Sequence, residues 1–380
     1  MIYLDYSANT PADSRVLERF CEVERSCPGN ANSRHQAGRD AKLVIDHATQ
    51  SIAGLLSAQP AEVIYTSGAS EANNFALKGL AKLSRPLGKH IISTPLEHSS
   101  VSGTLTALQE QGYEIDLVDI RRDGTIDLEH LKELLRPDTI AVAVTLVDSE
   151  LGVVQPVKEI SEILQAWPNC HLHVDATQAV GKIPVSFEGV DTMSLTAHKF
   201  YGLNGIGLLL KRRRLALDPL IHGGESTTIY RSGTPTVALA CSLALAASLE
   251  TALNSAVNEL PERSARVKEA NLYLRTALSK YPKVRINSPE SAIPHILNLS
   301  VENVKGTVFQ RELDAEGVCV SVKSACSSDG LPSRAVFAVS RDRKNSLSSW
   351  RISLSHLTTQ EELDGFLRAF DACYTRLTQL

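Results

Sequence analysis

Three short motifs combine residue types that could hold and use an organic cofactor. Residues 66–71 (Thr-Ser-Gly-Ala-Ser-Glu) place small residues between an apolar strand and a helix. Residues 173–178 (His-Val-Asp-Ala-Thr-Gln) end another apolar strand with Asp175, and residues 194–202 (Ser-Leu-Thr-Ala-His-Lys-Phe-Tyr-Gly) place Lys199 after the next one. We expect these groups to meet at the edge where α/β sheets build their sites.

Each motif also has a simpler interpretation. A Ser-Gly pair before a helix is an ordinary cap, and a lone aspartate at a strand end is more often a structural carboxylate. Lys199, flanked by His and Thr after a buried strand, is unusual for a solvated charge. Together the motifs supply a phosphate cup, an acid for a pyridine nitrogen and an amine for a Schiff base. The combination predicts pyridoxal 5'-phosphate (PLP) as the cofactor.

One cysteine lies in a setting that favours reactivity. Cys326 belongs to residues 324–330 (Ser-Ala-Cys-Ser-Ser-Asp-Gly), a small polar stretch after an apolar strand that ends at Val322. Most free cysteines pack in cores, but a thiol on a polar loop can be deprotonated and reach a substrate. Lys323 beside it would favour the thiolate. The setting therefore predicts a nucleophile.

Helical and strand-like segments alternate between residues 40 and 210. Apolar residues at helical spacing over 41–55 precede a short strand at 62–66. Further predicted strands are 91–93, 115–118, 140–147, 171–174, 192–195 and 206–210. This alternation is typical of a parallel sheet covered by crossover helices. Later segments indicate a smaller α+β domain: an apolar helix near 237–253, a polar helix at 262–279, strands at 296–301 and 318–322, and a closing helix at 360–377.

Further motifs extend over almost the whole chain. They are Tyr3-Leu4-Asp5, Gly29-Asn30 with Ser33-Arg34-His35, Glu97-His98, His222-Gly223-Gly224, Arg231-Ser232-Gly233-Thr234 and Trp350-Arg351. With the lysine motif and Ser324-Ala325-Cys326, the chain resembles the NifS/IscS-like cysteine desulfurases of the class V aminotransferase family. The cysteine is decisive, because related aminotransferase-like enzymes share the lysine and the aspartate without it.

The resemblance implies an α/β fold of PLP fold type I, with a large domain on a mostly parallel seven-stranded sheet. We expect this PLP-binding domain at residues 15–255. The smaller α+β domain would combine residues 1–14 with 256–380 and carry the cysteine loop and the substrate arginine. A homodimer is also implied, since Thr234 would reach the cofactor phosphate from the partner subunit.

The resemblance further implies individual roles. Lys199 would hold the cofactor, His98 would stack on its ring and exchange protons with the substrate, and Cys326 would receive the sulfur. Arg351 would bind the substrate carboxylate, which suits a planar guanidinium. The residues expected to contact the cofactor besides Lys199 are Asp175, Gln178 and Ser149 around the ring, and Ala69, Ser70, Thr196, His198 and Thr234 around the phosphate.

Two segments depart from the family pattern. Ser149, in Asp148-Ser149-Glu150-Leu151-Gly152, stands where an asparagine normally contacts the phenolic oxygen of the cofactor. Serine is shorter, and a water molecule would have to bridge the gap. Residues 225–229 (Glu-Ser-Thr-Thr-Ile) replace a glycine-rich run that borders the site across the dimer interface. Neither change removes a group that makes or breaks bonds.

Composition disfavours several other function classes. The 43 acidic and 39 basic residues give a formal charge of −4, which does not attract nucleic acid or an anionic membrane. The apolar segment 237–249 is too short to span a bilayer, and the first residues lack a secretion signal. The seven cysteines are scattered without CxxC pairs, so we expect a cytoplasmic protein with no metal site. The basic run 211–214 is typical of a solvated turn.

These features predict an enzyme that converts L-cysteine to L-alanine and leaves a persulfide on Cys326 for an acceptor protein. A selenocysteine lyase or a cystine C–S lyase of the same fold would share everything except full dependence on Cys326. A non-catalytic scaffold that docks through residues 225–230 is disfavoured by the complete set of site residues. The sequence does not determine whether iron–sulfur assembly, tRNA thiolation, DNA phosphorothioation or another pathway receives the sulfur.

Overall fold

The computed structural model describes residues 1–224, 226–244, 260–323 and 331–379. Its strands are β1 (Ile2–Tyr3), β2 (Val63–Thr66), β3 (His90–Ser93), β4 (Glu114–Leu117), β5 (Thr139–Thr145), β6 (His171–Asp175), β7 (Thr192–Thr196), β8 (Gly207–Lys211), β9 (Val284–Ile286), β10 (Ile296–Val301), β11 (Val318–Cys319) and β12 (Ser349–Ser353).

The helices fall between these strands and after them. They are α1 (Ser14–Ser26), α2 (Gln36–Leu55), α3 (Ala69–Ser84), α4 (Ser99–Gln109), α5 (Leu128–Leu134), α6 (Val157–Leu164), α7 (Val237–Ala244), α8 (Leu260–Leu278), α9 (Gly306–Ala315), α10 (Arg334–Ser340), α11 (Arg343–Ser348) and α12 (Gln360–Thr378). A short 3₁₀ helix, Ala197–Lys199, follows β7 directly.

A seven-stranded sheet forms the centre of the molecule, in the order β2-β8-β7-β6-β5-β3-β4. The pairs from β7 to β4 are parallel, whereas β8 runs antiparallel to both of its neighbours. All seven strands were predicted from the sequence to within two residues. β5 is buried along its whole length, as expected where helices cover both faces. The α/β prediction with a mostly parallel seven-stranded sheet is confirmed.

Strand direction brings several strand ends to one edge of this sheet. Because β8 reverses direction once on each side, β2 runs the same way as β7. The carboxyl ends of β2, β5, β6 and β7 therefore lie together, and these are Thr66, Thr145, Asp175 and Thr196. Each of the three sequence motifs contains one of these residues: Thr66 is in residues 66–71, Asp175 in 173–178 and Thr196 in 194–202.

A second, smaller region is formed by the antiparallel sheet β12-β10-β9 and the parallel pair β1-β11. Its apolar cluster includes Leu4, Val267, Phe309 and Trp350, and the rings of Phe309 and Trp350 stack at 5.2 Å. The predicted strand 318–322 is shorter than expected, because its partner β1 has only two residues. The predicted division at residues 15 and 255 stays a prediction.

The later helices agree with the sequence where the structure describes them. α8 and α12 match the predicted polar helix and closing helix. α7 covers the first part of the predicted apolar helix 237–253, and the rest of that prediction lies outside the described residues, as do Cys326 and Glu225. No helix within the described ranges is long and apolar enough to cross a membrane.

The basic run after β8 is not simply a solvated turn. Lys211 is the last residue of β8 and is 1% exposed, with its ammonium donating to the carbonyl of Leu215. The guanidinium of Arg212 lies over the ring of Phe187. Only the last two residues of the run are exposed as expected. The prediction was wrong for Lys211 and Arg212, because contacts with Leu215 and Phe187 hold their side chains against the folded chain.

Candidate active site

A cavity of 360 Å³ opens at the shared carboxyl edge of the central sheet. Its walls come from the strand ends, from the start of α3 and from the N-terminal residues Ser7 and Ala8. Ten residues that the sequence predicted as site residues line it: Ala69, Ser70, His98, Ser149, Asp175, Gln178, Thr196, His198, Lys199 and Arg351. The three motifs and the predicted substrate arginine thus meet at one place.

The turn between β2 and α3 exposes free backbone amides to the cavity. Gly68 precedes the helix with φ of +155°, a conformation that favours glycine, and provides no capping side chain. The amides of Ala69 and Ser70 have no carbonyl acceptor within the helix. A Cβ on Gly68 would lie 3.4 Å from Thr196 Oγ1, so the turn is close to the end of β7. Such a helix start is a ready site for a phosphate.

Asp175 is 4% exposed at the end of β6 and is held on both oxygens. Oδ1 accepts a hydrogen bond from the amide of Thr177 at 2.9 Å, and Oδ2 accepts one from Asn73 Nδ2 at 2.8 Å. These bonds fix the direction of the carboxyl group. An anion at this depth is what a protonated pyridine nitrogen requires.

Asn73 on α3 is a positioning residue that the sequence analysis missed. Its Nδ2 also donates to Ser100 Oγ at 2.9 Å, and its Oδ1 contacts Nε2 of His173 at 3.0 Å and accepts from Ser194. Burial lowers the pKa of His173 to about 4, so this imidazole is neutral at physiological pH. A polar amide among the apolar positions of α3 was the only signal in the sequence.

His98 caps the start of α4 with its own ring. Nδ1 accepts a hydrogen bond from the amide of Ser100 at 3.1 Å, which leaves the proton of the neutral ring on Nε2. Burial lowers the pKa of His98, the charge of Asp175 opposes this, and the charge of Lys199 adds to it. The ring is therefore mainly neutral near pH 7 and can accept or donate a proton.

Lys199 ends the 3₁₀ helix after β7, and its amine reaches across to the N-terminal segment. Nζ donates to the carbonyl of Ser7 at 2.8 Å and to that of Ala8 at 2.6 Å. Gln178 Nε2 donates to the same Ser7 carbonyl at 2.9 Å. The backbone of residues 7 and 8 therefore gathers the amine and the amide at one side of the cavity.

The residues expected around a phosphate are connected to one another. Thr196 Oγ1 lies 3.1 Å from His198 Nδ1. Burial, followed by the charges of Lys199 and of the nearby Lys182, lowers the pKa of His198 to about 4, so its ring is neutral. Thr234 is exposed and does not line this cavity. That position agrees with a contact made to a second subunit, which remains a prediction.

Arg351 is 2% exposed in β12 and holds a fixed orientation. Its Nη2 pairs with Asp5 at 2.9 Å, and its Nη1 donates to the carbonyl of Ser149 at 2.7 Å. Nε has no hydrogen-bond partner within the part of the chain that the structure describes. Asp5 belongs to a motif noted in the sequence, but its pairing with Arg351 was not predicted.

The segment 324–330, which contains the predicted nucleophile, is flanked by residues tied to the same site. On one side, Ser321 and Arg351 exchange two backbone hydrogen bonds. On the other side, Ser333 Oγ donates to Glu150, one residue from Ser149. The described residues on either side of the segment are thus bonded to residues at or next to the cavity.

A larger cavity of 1270 Å³ lies at the opposite end of the strands, near His171 and Trp167. Two of its three arginines are already paired, Arg212 with Glu62 at 3.6 Å and Arg214 with Asp191 at 3.3 Å. It brings together none of the predicted site residues. Size alone therefore does not identify the site, and the chemistry of the smaller cavity does.

The fold and this cavity define an enzyme built on the class V aminotransferase architecture. The family model described as aminotransferase class-V matches residues 2–366. A cysteine desulfurase IscS of Dictyoglomus turgidum is 36% identical over 99% of this chain and 95% of its own length. A solved NifS-like protein superposes with a TM-score of 0.90, at 33% identity, over all of both chains. Another solved structure, SspA in complex with cysteine, has a TM-score of 0.81 at 29% identity, covering 94% of this chain and all of its own.

The chain belongs to the class V aminotransferase family and, within it, to the NifS/IscS-like cysteine desulfurases. This confirms the resemblance drawn from the motifs.

Proposed function

We propose that this protein is a PLP-dependent cysteine desulfurase that converts L-cysteine to L-alanine and leaves the sulfur as a persulfide on Cys326. The observation that carries the proposal is the meeting of Lys199, Asp175, His98 and Arg351 in one cavity. The direct test is incubation with L-cysteine alone. Equal amounts of alanine and protein-bound sulfur are expected after one turnover, and no alanine would reject the proposal.

The residues present fit PLP. The uncapped start of α3, with Ser70, Thr196 and neutral His198, offers hydrogen-bond donors for a phosphate, while Asp175 offers a buried anion and Lys199 an amine. When bound, PLP supplies an electron sink that stabilises a carbanion at the substrate Cα.

The chain's own groups then have distinct tasks. Asp175, fixed by Asn73 and Thr177, would keep a proton on the pyridine nitrogen. Lys199 would move the proton at the substrate Cα, and neutral His98 would exchange a proton with the substrate. Ser149 and Gln178 would contact the ring's phenolic oxygen.

The sulfur step needs no external oxidant or reductant. The Cys326 thiolate attacks the sulfur of L-cysteine, a sulfur–sulfur bond forms and the Cβ–sulfur bond breaks. The carbon fragment gains the proton that the thiol lost and leaves as alanine. The neighbour solved with cysteine supports L-cysteine as the substrate.

We further propose that the protein works as a cytoplasmic homodimer and passes the persulfide sulfur to an acceptor protein. In the part of the chain that the structure describes, the six cysteines are all free, which suits a reducing compartment. The exposed Thr234 lies three residues after Arg231, which pairs at 3.0 Å with Glu71 in the first turn of α3. Thr234 is therefore available to a second subunit.

Replacing Arg351 should mainly impair substrate capture. Arg351→Ala is expected to raise KM for L-cysteine by roughly 10- to 100-fold, because charge-assisted hydrogen bonds to the carboxylate are lost in every bound state. The absorption spectrum of the cofactor should stay normal. Arg351→Lys keeps the charge without the planar fork and should give an intermediate KM. An unchanged KM in the alanine variant would show that another residue holds the carboxylate.

Changing Ser149 to the usual asparagine should strengthen cofactor retention. Its side chain lines the cavity while its carbonyl is held by Arg351, so the longer amide can extend without moving the backbone. We expect Ser149→Asn to slow PLP dissociation by about fivefold, as one direct hydrogen bond replaces a water-bridged one. Ser149→Ala is the matched control and should release PLP faster than the wild type. Equal dissociation rates in all three proteins would mean that the position is silent.

A further inference from the structure

A second buried lysine lies directly behind Gln178, and the proposed reaction does not use it. Lys182 is 8% exposed in the turn that follows β6. Its Nζ donates to Gln178 Oε1 at 3.0 Å and approaches the carbonyl of Lys199 at 3.5 Å. The sequence analysis did not single it out, because its surroundings become visible only in the folded chain.

The charges around Lys182 make it costly to keep. Lys199 and Arg351 repel its ammonium, and His198 and His295, whose own pKa values are lowered partly by Lys182, also face it. Within the described ranges, no carboxylate forms an ion pair with it. Burial, and then these two cations, lower the pKa of Lys182 to about 7. A buried cation without a counter-ion destabilises a fold, so its presence calls for another reason.

The hydrogen bond from Lys182 determines which end of the Gln178 amide faces the cavity. In its charged form, which dominates below about pH 7, Lys182 can only donate, so Oε1 is the end that turns toward it. Nε2 then points the other way and donates to the carbonyl of Ser7 at 2.9 Å, beside the amine of Lys199. A flipped amide would set N–H groups against the ammonium and leave the carbonyl of Ser7 facing an oxygen.

We propose that Lys182 is a positioning residue that locks the amide of Gln178 with its N–H end toward the cavity, where it can donate to the phenolic oxygen of the cofactor. The inference rests on the proposed PLP chemistry. Orientation of the Gln178 side chain would then explain why a lysine without an ion-pair partner is kept at this buried position.

The first test uses the cofactor-free protein and the variant Lys182→Met, which has a similar shape and no charge. If the lysine is retained at the expense of stability, the variant should melt about 2–4 °C higher than the wild type at pH 7. The pKa of Lys182 is lower in the folded than in the unfolded chain, so the unfolded chain binds more protons between about pH 7 and pH 10.5. Wild-type stability therefore rises with pH in this range, and the advantage of the variant should shrink toward pH 10. A lower melting temperature at both pH values would show that Lys182 stabilises the fold, and would overturn the inference.

The second test measures PLP dissociation from Lys182→Met, from Gln178→Met and from the double variant. Each single variant should release PLP about fivefold faster, since each removes the same oriented donor. The double variant should be no faster than Gln178→Met alone, because residues that act through one another are not additive. Multiplied effects in the double variant, or an unchanged rate in Lys182→Met, would overturn the inference.

Lys211 offers a matched control. It is also a buried lysine, but it donates to backbone carbonyls after β8 and does not line the cavity. Lys211→Met should leave the PLP dissociation rate unchanged. A fivefold faster release from this variant would mean that the loss of any buried lysine charge weakens PLP binding.

PLP binding by the wild type distinguishes failure of the proposed function from failure of this inference. If the wild type binds no PLP, the proposed function fails and this inference fails with it. If the wild type binds PLP but the effects of Lys182→Met and Gln178→Met on the dissociation rate multiply in the double variant, only the inference fails.

Discussion

Cys326→Ser should bind PLP and L-cysteine yet release alanine at least about a thousandfold more slowly than the wild type. Serine keeps the size of the side chain, but its hydroxyl is a far weaker nucleophile than a thiolate at neutral pH. The variant should also carry no persulfide. Alanine release and protein-bound sulfur, measured in the same samples, check both parts of this result.

Cys319 provides the matched control for the nucleophile. It lies in β11, seven residues earlier, and burial followed by the charges of Asp314 and Asp5 raises its pKa, which keeps it a thiol. Cys319→Ser should turn over at close to the wild-type rate. Peptide mass spectrometry of the wild type after one turnover should place the added sulfur on the segment 324–330. Sulfur found on Cys319, or normal turnover by Cys326→Ser, would favour a direct lyase mechanism.

Lys199→Ala should lose both the covalent attachment of PLP and the yellow colour that accompanies it, and its turnover should fall by several orders of magnitude. Lys199 follows β7 and lines the same cavity as Asp175 and the turn between β2 and α3, with its amine held by the carbonyls of Ser7 and Ala8. The variant should still take up PLP reversibly, because the phosphate donors and Asp175 are unchanged. The absorption spectrum before and after dialysis measures this difference.

The assignment of Lys199 as the lysine that binds PLP must be tested against Lys182, because the amine of Lys182 lies close to the carbonyl of Lys199. Borohydride treatment of the wild type should fix the cofactor on Lys199 alone, and peptide mapping should find Lys182 unmodified. Modification of Lys182 would exchange the roles of the two lysines. A wild type that stays colourless after incubation with PLP would contradict the cofactor assignment itself.

The sequence predicted the location of those candidate site residues that stand at or just after the end of a strand. Asp175 and Lys199 follow apolar strands, and parallel strands deliver their carboxyl ends to one edge whatever the details of packing. The same local logic found β5, because a buried parallel strand is a nearly continuous apolar run. The family resemblance then added His98, Gln178 and Arg351, which no local pattern would have identified.

The residues that the sequence missed depend on contacts that only the folded chain creates, some of them with residues far away along the chain. Asn73 meets Asp175 across 102 residues, and Lys182 carries a charge whose cost depends on Arg351 and Lys199. The length of β11 likewise depends on β1, more than 300 residues earlier. Such contacts depend on the packing of the whole chain, so neither the spacing of apolar residues nor the residue type predicts them.

The first residues of the chain also impose an order on its synthesis. Asp5 pairs with Arg351 across 346 positions, and Ser7 accepts hydrogen bonds from Gln178 and Lys199. The ribosome therefore makes the N-terminal side of the pocket first. Ser7 gains its partners once residue 199 has emerged, and Asp5 gains its partner only once residue 351 has emerged. A nascent chain can complete the central sheet once Lys211 has emerged, but a product that ends before residue 351 would lack the guanidinium that pairs with Asp5. The ion pair between Asp5 and Arg351 is therefore among the last contacts of this pocket to form during synthesis.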